Sequence, residues 1–147
     1  FGFDRGTLDI SSLKVSGRSA LPGNGVNSVN TSDIYLAGGN VTIGGTLVLS
    51  EVVSTAGTGS GAVSNLYISG GAVNLTASDA TVAGVAVNMA RSSVAGTEST
   101  ANIVLTGGTT TVSGHIQKHG EAVGATSATL TLEGGILNMS GNRIGGA

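Results

Sequence analysis

The sequence predicts an all-β protein, a parallel β-helix (β-solenoid) of about five rungs with three short strands per rung and a variable loop. Three observations predict it. One phrase, an apolar alternation, a glycine break (Gly-Gly in four copies, Arg5-Gly6 in the first) and a second apolar alternation, occurs five times and is clearest at Asn65 to Thr76 (NLYISGGAVNLT). With the second glycine as origin, the phrase is anchored at Gly6, Gly39, Gly71, Gly108 and Gly135, spaced 33, 32, 37 and 27 residues apart. A register this regular marks one supersecondary unit used repeatedly. Next, the apolar positions −3 and +2 are an odd number apart, so the break flips side-chain parity and must be a corner or a turn. Finally, only two Phe, two Tyr and no Trp accompany 26 Gly. That composition suits the thin core of a solenoid better than the thicker core of a sandwich or propeller.

Taken in order, the rungs fall at about 1–32, 33–64, 65–101, 102–128 and 129–147, forming one domain. The first opens on FGFDRGTLDI, where Asp4, Arg5 and Asp9 give the densest charge in the chain; Leu13 and Val15 supply a third alternation. Gly17 to Ser32 then reads as a polar loop rich in turn residues. Ile34, Leu36, Val41 and Ile43 form the second rung's core positions, with TLVLS as third strand and Ser54 to Ser64 as the returning loop. In the third rung Leu66, Ile68, Val73 and Leu75 are followed by Thr81 to Met89, whose β-branched content favours a strand over a helix. The fourth carries Ile103, Leu105 and Val112, with Thr110 as the one polar residue at a core position. The fifth carries Leu130, Leu132, Leu137 and Met139, and stops in mid-rung.

One rung buries too little to offset the entropy of ordering its backbone, so rungs are expected to stack through main-chain hydrogen bonds along the axis. Outward columns of like residues, such as Asp33, Asn65, Asn102 and Thr129, are placed to pair from rung to rung. An origin glycine in every rung points to a corner with positive φ or a close backbone approach. On this reading Gly71→Val destabilises far more than Ser64→Val, with Ser64 taken as a loop residue.

The rungs LTLEGGILNMSGNRIGG, NVTIGGTLVLS and IVLTGGTTTVSG resemble the autotransporter-associated β-strand repeats of secreted bacterial surface proteins. The resemblance extends over all five rungs. It implies a right-handed parallel β-helix exposed outside the cell, at the cell surface or secreted. The first residue, Phe1, already lies inside a repeat, which is expected of a processed product or a piece of something longer.

Composition excludes several function classes. A net charge of −2 gives no basic stripe for phosphates, and no aromatic platform is spaced for bases, so no nucleic-acid partner is expected. No apolar run approaches the roughly 20 residues that span a bilayer, so no membrane insertion is expected. With no cysteine there is no disulfide or thiol chemistry.

Candidate chemistry is sparse. A retaining glycosidase needs two carboxyls about 5–5.5 Å apart, which here requires one column on adjacent rungs. Asp4 and Glu133 share a column but sit four rungs apart. Glu51, Glu98 and Glu121 are read as loop residues, the remaining carboxylates that folding could bring together. His115 and His119 have i, i+4 spacing, but the register separates them to the start and the loop end of one strand, with no third ligand. The calcium-binding nonapeptide is absent, and Asn30, Asn40, Asn74 and Asn138 begin sequons that matter only in a glycosylating host. No cofactor or metal is expected. The leading expectation is therefore a non-catalytic structural rod whose partners are its own ends, stacked end to end into a fibre, or neighbouring repeats of a longer chain. An adhesin-like module contacting glycans or surface proteins is the alternative, and a polysaccharide-active enzyme comes third.

Overall fold

In the computed structural model, which describes residues 1–19, 29–53, 60–77, 84–119 and 123–145, the chain is a parallel β-helix. Its first rung holds β1 (Gly2–Phe3), β2 (Thr7–Ile10) and β3 (Leu13–Ser19); its second β4 (Val29–Leu36), β5 (Asn40–Ile43) and β6 (Leu47–Val53). The third holds β7 (Gly61–Ile68), β8 (Ala72–Thr76) and β9 (Val85–Ser92), the fourth β10 (Glu98–Leu105), β11 (Thr109–Ser113) and β12 (His115–Lys118). The fifth holds β13 (Ala125–Leu132) and β14 (Ile136–Asn138). Corresponding strands stack into three parallel sheets, ordered β1-β4-β7-β10-β13, β2-β5-β8-β11-β14 and β3-β6-β9-β12.

Register follows the glycine-anchored columns. Ile34, Leu66, Ile103 and Leu130 are mutual partners in the first sheet, as are Val41, Val73, Thr110 and Leu137 in the second. In the three middle rungs these columns are buried; Leu66, Ile68, Val73 and Leu75 are each no more than 2% exposed. Parallel pairing places like side chains over like, so one apolar pattern repeated in sequence becomes one continuous core. Thr110 occupies its core position, 2% exposed, with its hydroxyl unpartnered among the described residues.

The loops are shorter than the sequence reading expects. The strands β4, β7, β10 and β13 begin five residues before their apolar alternation, so 61–64 belong to β7 and not to a returning loop. Small residues explain this: Ala62, Ser64, Ser99 and Ala101 point inward and are at most 2% exposed. They line a narrow lobe of the interior opposite the second halves of β6 and β9, with Val52 and Ala62 as its own small apolar cluster. Ser64 is thus a core residue, its Oγ donating to the Val15 carbonyl at 3.0 Å, and it is no loop comparator for Gly71. Glu51 and Glu98 lie in β6 and β10 and not in loops, whereas Glu121 falls outside the described residues. The strand expected over Thr81 to Met89 is seen as Val85–Ser92, with 81–83 outside the described residues.

Candidate functional site

The glycine corner joins the first sheet to the second. Gly6, Gly39, Gly71, Gly108 and Gly135 have φ of +90, +71, +74, +72 and +75°. This conformation turns each carbonyl along the axis, where Gly6, Gly39, Gly71 and Gly108 accept from Asn40, Ala72, Thr109 and Ile136 N–H at 2.8–2.9 Å. The inter-rung ladder therefore resumes at the corner carbonyl, directly after the Gly-Gly step. Rungs approach so closely here that a Cβ at Gly108 would lie 2.6 Å from the Gly71 oxygen and 2.7 Å from the Gly70 carbonyl carbon. The preceding glycine of each pair is equally constrained, since a Cβ at Gly134 would lie 2.5 Å from the Thr106 oxygen.

A second corner, absent from the sequence reading, breaks the third sheet. Ser16, Ser50 and Ala90 have φ of +49, +61 and +55°. They stack, being flanked by the paired columns Val15, Leu49, Met89 and Gly17, Glu51, Arg91. Non-glycine residues in this region cost about 1–2 kcal/mol each, and at the two serines side-chain hydrogen bonds offset that cost. Ser50 Oγ donates to the Ala62 carbonyl at 2.7 Å and lies 2.7 Å from Ser99 Oγ, which in turn donates to the Ser50 carbonyl at 2.9 Å. Ser16 Oγ donates to the Val63 carbonyl at 2.9 Å. These bonds tie the third sheet to the first across the narrow lobe.

The candidate carboxylates do not assemble into an acid–base pair. Glu51, 7% exposed, is held by Lys14 on one oxygen and by Arg91 Nη1 at 2.9 Å on the other, spanning three successive rungs of the third sheet. A buried carboxylate held on both oxygens by cations is fixed in place, which suits it to structure and leaves no free oxygen for acid–base work. Glu98 opens β10 and is exposed. Asp4 pairs with Arg5 at the surface. His115 starts β12 and accepts from the Arg143 N–H through Nδ1 at 3.1 Å, while His119 follows the strand and donates its backbone N–H to Met89. No group of three metal-ligating side chains occurs among the described residues.

Two surfaces stand out instead. On the outer face of the first sheet, Asn65 Nδ2 donates to Asp33 Oδ1 at 2.7 Å and Asn102 Nδ2 to Asn65 Oδ1 at 2.9 Å, an amide ladder over three rungs. Beside it the rings of Tyr35 and Tyr67 stack with centroids 4.9 Å apart and planes 9° from parallel. The Tyr35 hydroxyl titrates above the ordinary phenol range, through desolvation first and then the negative charge of Asp33 and the neighbouring Tyr67. The signal for this stack was present in the sequence as Tyr at one offset in consecutive rungs. The other surface is the pair of end rungs. Phe1 is 68% and Leu132 57% exposed, and an opening of about 450 Å³ under the first rung is lined by Phe1, Leu8, Ile10, Leu13, Val15 and Ile34.

Comparison with protein-family models, with curated proteins and with solved structures finds no match to this chain.

Proposed function

We propose that this chain is a non-catalytic structural segment, a rigid β-helical rod carried outside the cell as the repeat resemblance implies. The observation that supports it is the pairing of β1-β4-β7-β10-β13 and β2-β5-β8-β11-β14 through all five rungs, ending on uncovered apolar faces. Unpaired parallel edges and open core are where further rungs, of the same chain or of a second copy, extend a solenoid. Rigidity follows from the corners, where neighbouring backbones touch and side chains bond across the interior.

Electron microscopy and sedimentation of the 147-residue chain over a concentration series test the self-assembling form of this reading. Fibres a few strands wide, lengthening with concentration and showing an axial spacing near 4.8 Å, are the expected result. A monomer at every concentration rules out end-to-end assembly of this segment. The rod then depends on rungs contributed in the same chain.

A further inference from the structure

Both tyrosines of the chain stand in one outward column of the first sheet, and the chain has no tryptophan and no cysteine. Thiols, indoles and phenols are the side chains that one-electron oxidants attack first. Here that set is reduced to one pair.

Register brings the pair together. Tyr35 in β4 is the partner of Tyr67 in β7, with ring centroids 4.9 Å apart and planes 9° from parallel. Parallel pairing imposes this, because column neighbours lie one strand spacing, about 4.8 Å, apart. Beyond Tyr67 the column continues as Val104 and Thr131, so the stack is a pair and not a ladder. A radical formed on either ring has the other as its aromatic neighbour in the column. Both rings stand on the outer wall, Tyr35 exposed and Tyr67 half-buried between β4 and β10. A diffusing oxidant therefore reaches them, and rotation about Cα–Cβ and Cβ–Cγ can close the gap between ring edges without moving the strands.

We propose that Tyr35 and Tyr67 are a site of oxidative cross-linking, joined by peroxide-driven one-electron oxidation into a dityrosine that staples the second rung to the third. Each phenol gives up its O–H hydrogen, as an electron and a proton, to the oxidant. One Cε of each ring then shares its unpaired electron in a new C–C bond, and the hydrogen on each of those carbons moves to the phenol oxygen as the rings regain aromaticity. One hydrogen peroxide takes up the two electrons and two protons and leaves as two waters. The bond is a covalent tie of a kind that a chain without cysteine cannot make through sulfur. It rests on the pairing of β4 with β7 and not on fibre formation, so a chain that stays monomeric carries the same site.

The test is treatment of the dilute full chain with hydrogen peroxide and a haem peroxidase, read by dityrosine emission, intact mass, peptide mapping and gel electrophoresis. The expected product is a monomer that has lost two hydrogens, with positions 35 and 67 in one linked peptide. Tyr35→Phe and Tyr67→Phe should each abolish it. Two double variants test the spacing, since Val104 is the next residue of the column. Tyr35→Phe with Val104→Tyr keeps its tyrosines one strand spacing apart and should couple like the parent. Tyr67→Phe with Val104→Tyr sets them two spacings apart, and coupling should slow by about tenfold or more. The linked chain should also unfold at a higher urea concentration, because the bond closes a loop in the unfolded state. An unmodified chain overturns the proposal, as do covalent dimers in place of the intrachain bond. So does equal coupling at one and two spacings, or a urea midpoint no higher than the parent's, which would mean an adduct and no staple.

Discussion

The two corners of this coil turn the chain with left-handed residues, yet they use opposite chemistry. At Gly39, Gly71 and Gly108 the rungs meet backbone to backbone, and the carbonyl that the positive φ exposes is the acceptor for the next rung. Residue choice there is set by exclusion, because any Cβ overlaps a peptide unit that is itself fixed by hydrogen bonds. At Ser16 and Ser50 there is room for a side chain, and its hydroxyl reaches across the lobe to a carbonyl of the opposite sheet. Residue choice there is set by attraction, with backbone strain as the cost. The same φ thus marks two different devices, one that lets rungs approach and one that ties two walls together.

Breaking the first device should have the largest effect. A Cβ at Gly71 would overlap the Gly39 oxygen and lie 2.6 Å from the Gly38 carbonyl carbon and 3.0 Å from Gly38 Cα. Gly71→Val is therefore expected to cost on the order of 4 kcal/mol or more, with loss of cooperative melting by circular dichroism. A melting temperature within a few degrees of the parent would refute the close approach. The serine device is weaker. Ser50→Ala should cost about 1–3 kcal/mol in urea unfolding, since it removes the donor to the buried Ala62 carbonyl. Ser50→Gly relieves the strain as well and should cost less; were it more stable than the parent, strain and not the hydroxyl would dominate this corner.

Thr110 sharpens the contrast because it is a buried hydroxyl just past the glycine corner with no partner among the described residues. Thr110→Val keeps the shape and removes the unmet polar atom, so it should stabilise by about 1–2 kcal/mol, readable as a higher urea midpoint. A loss of stability would mean that the hydroxyl is bonded after all. The smallest change is expected at Ser140, an exposed residue with φ +49°. Ser140→Gly should stabilise by no more than about 1 kcal/mol, strain relief being partly cancelled by the greater freedom of glycine in the unfolded chain.

The same contrast explains what was legible in the sequence. The glycine corner advertises itself, because exclusion leaves Gly at the same offset in the second to fifth rungs, positive φ favours it in the first, and the adjoining core is mostly Leu, Ile and Val in alternation. The serine corner does not. Ser16, Ser50 and Ala90 share a conformation but no residue type, and the kink at Ser50 breaks the alternation so that Glu51 and Val52 are both buried. Opposite them Ala62, Ser64, Ser99 and Ala101 read as turn or loop composition, although they line the interior. Ser is inward here because a carbonyl across the lobe satisfies its hydroxyl, and no periodicity in hydropathy reports a bond between positions 50 and 62 or 64 and 15. Glu51 was misplaced for a related reason: its two cations, Lys14 and Arg91, come from the rungs on either side. The Tyr35–Tyr67 stack lay in plain view, as Tyr at one offset in consecutive rungs.

Everything above rests on the rungs being stacked in register, and the absence of native cysteine allows that to be measured with two spin labels. Asp9, Thr42, Asn74, Thr111 and Asn138 form one outward column through all five rungs. Labels at Asp9→Cys and Asn138→Cys, read by double electron–electron resonance, should give a narrow distribution centred near four strand spacings, roughly 19 Å. A broad distribution, or a mean well beyond 30 Å, would contradict the stack and with it the rod.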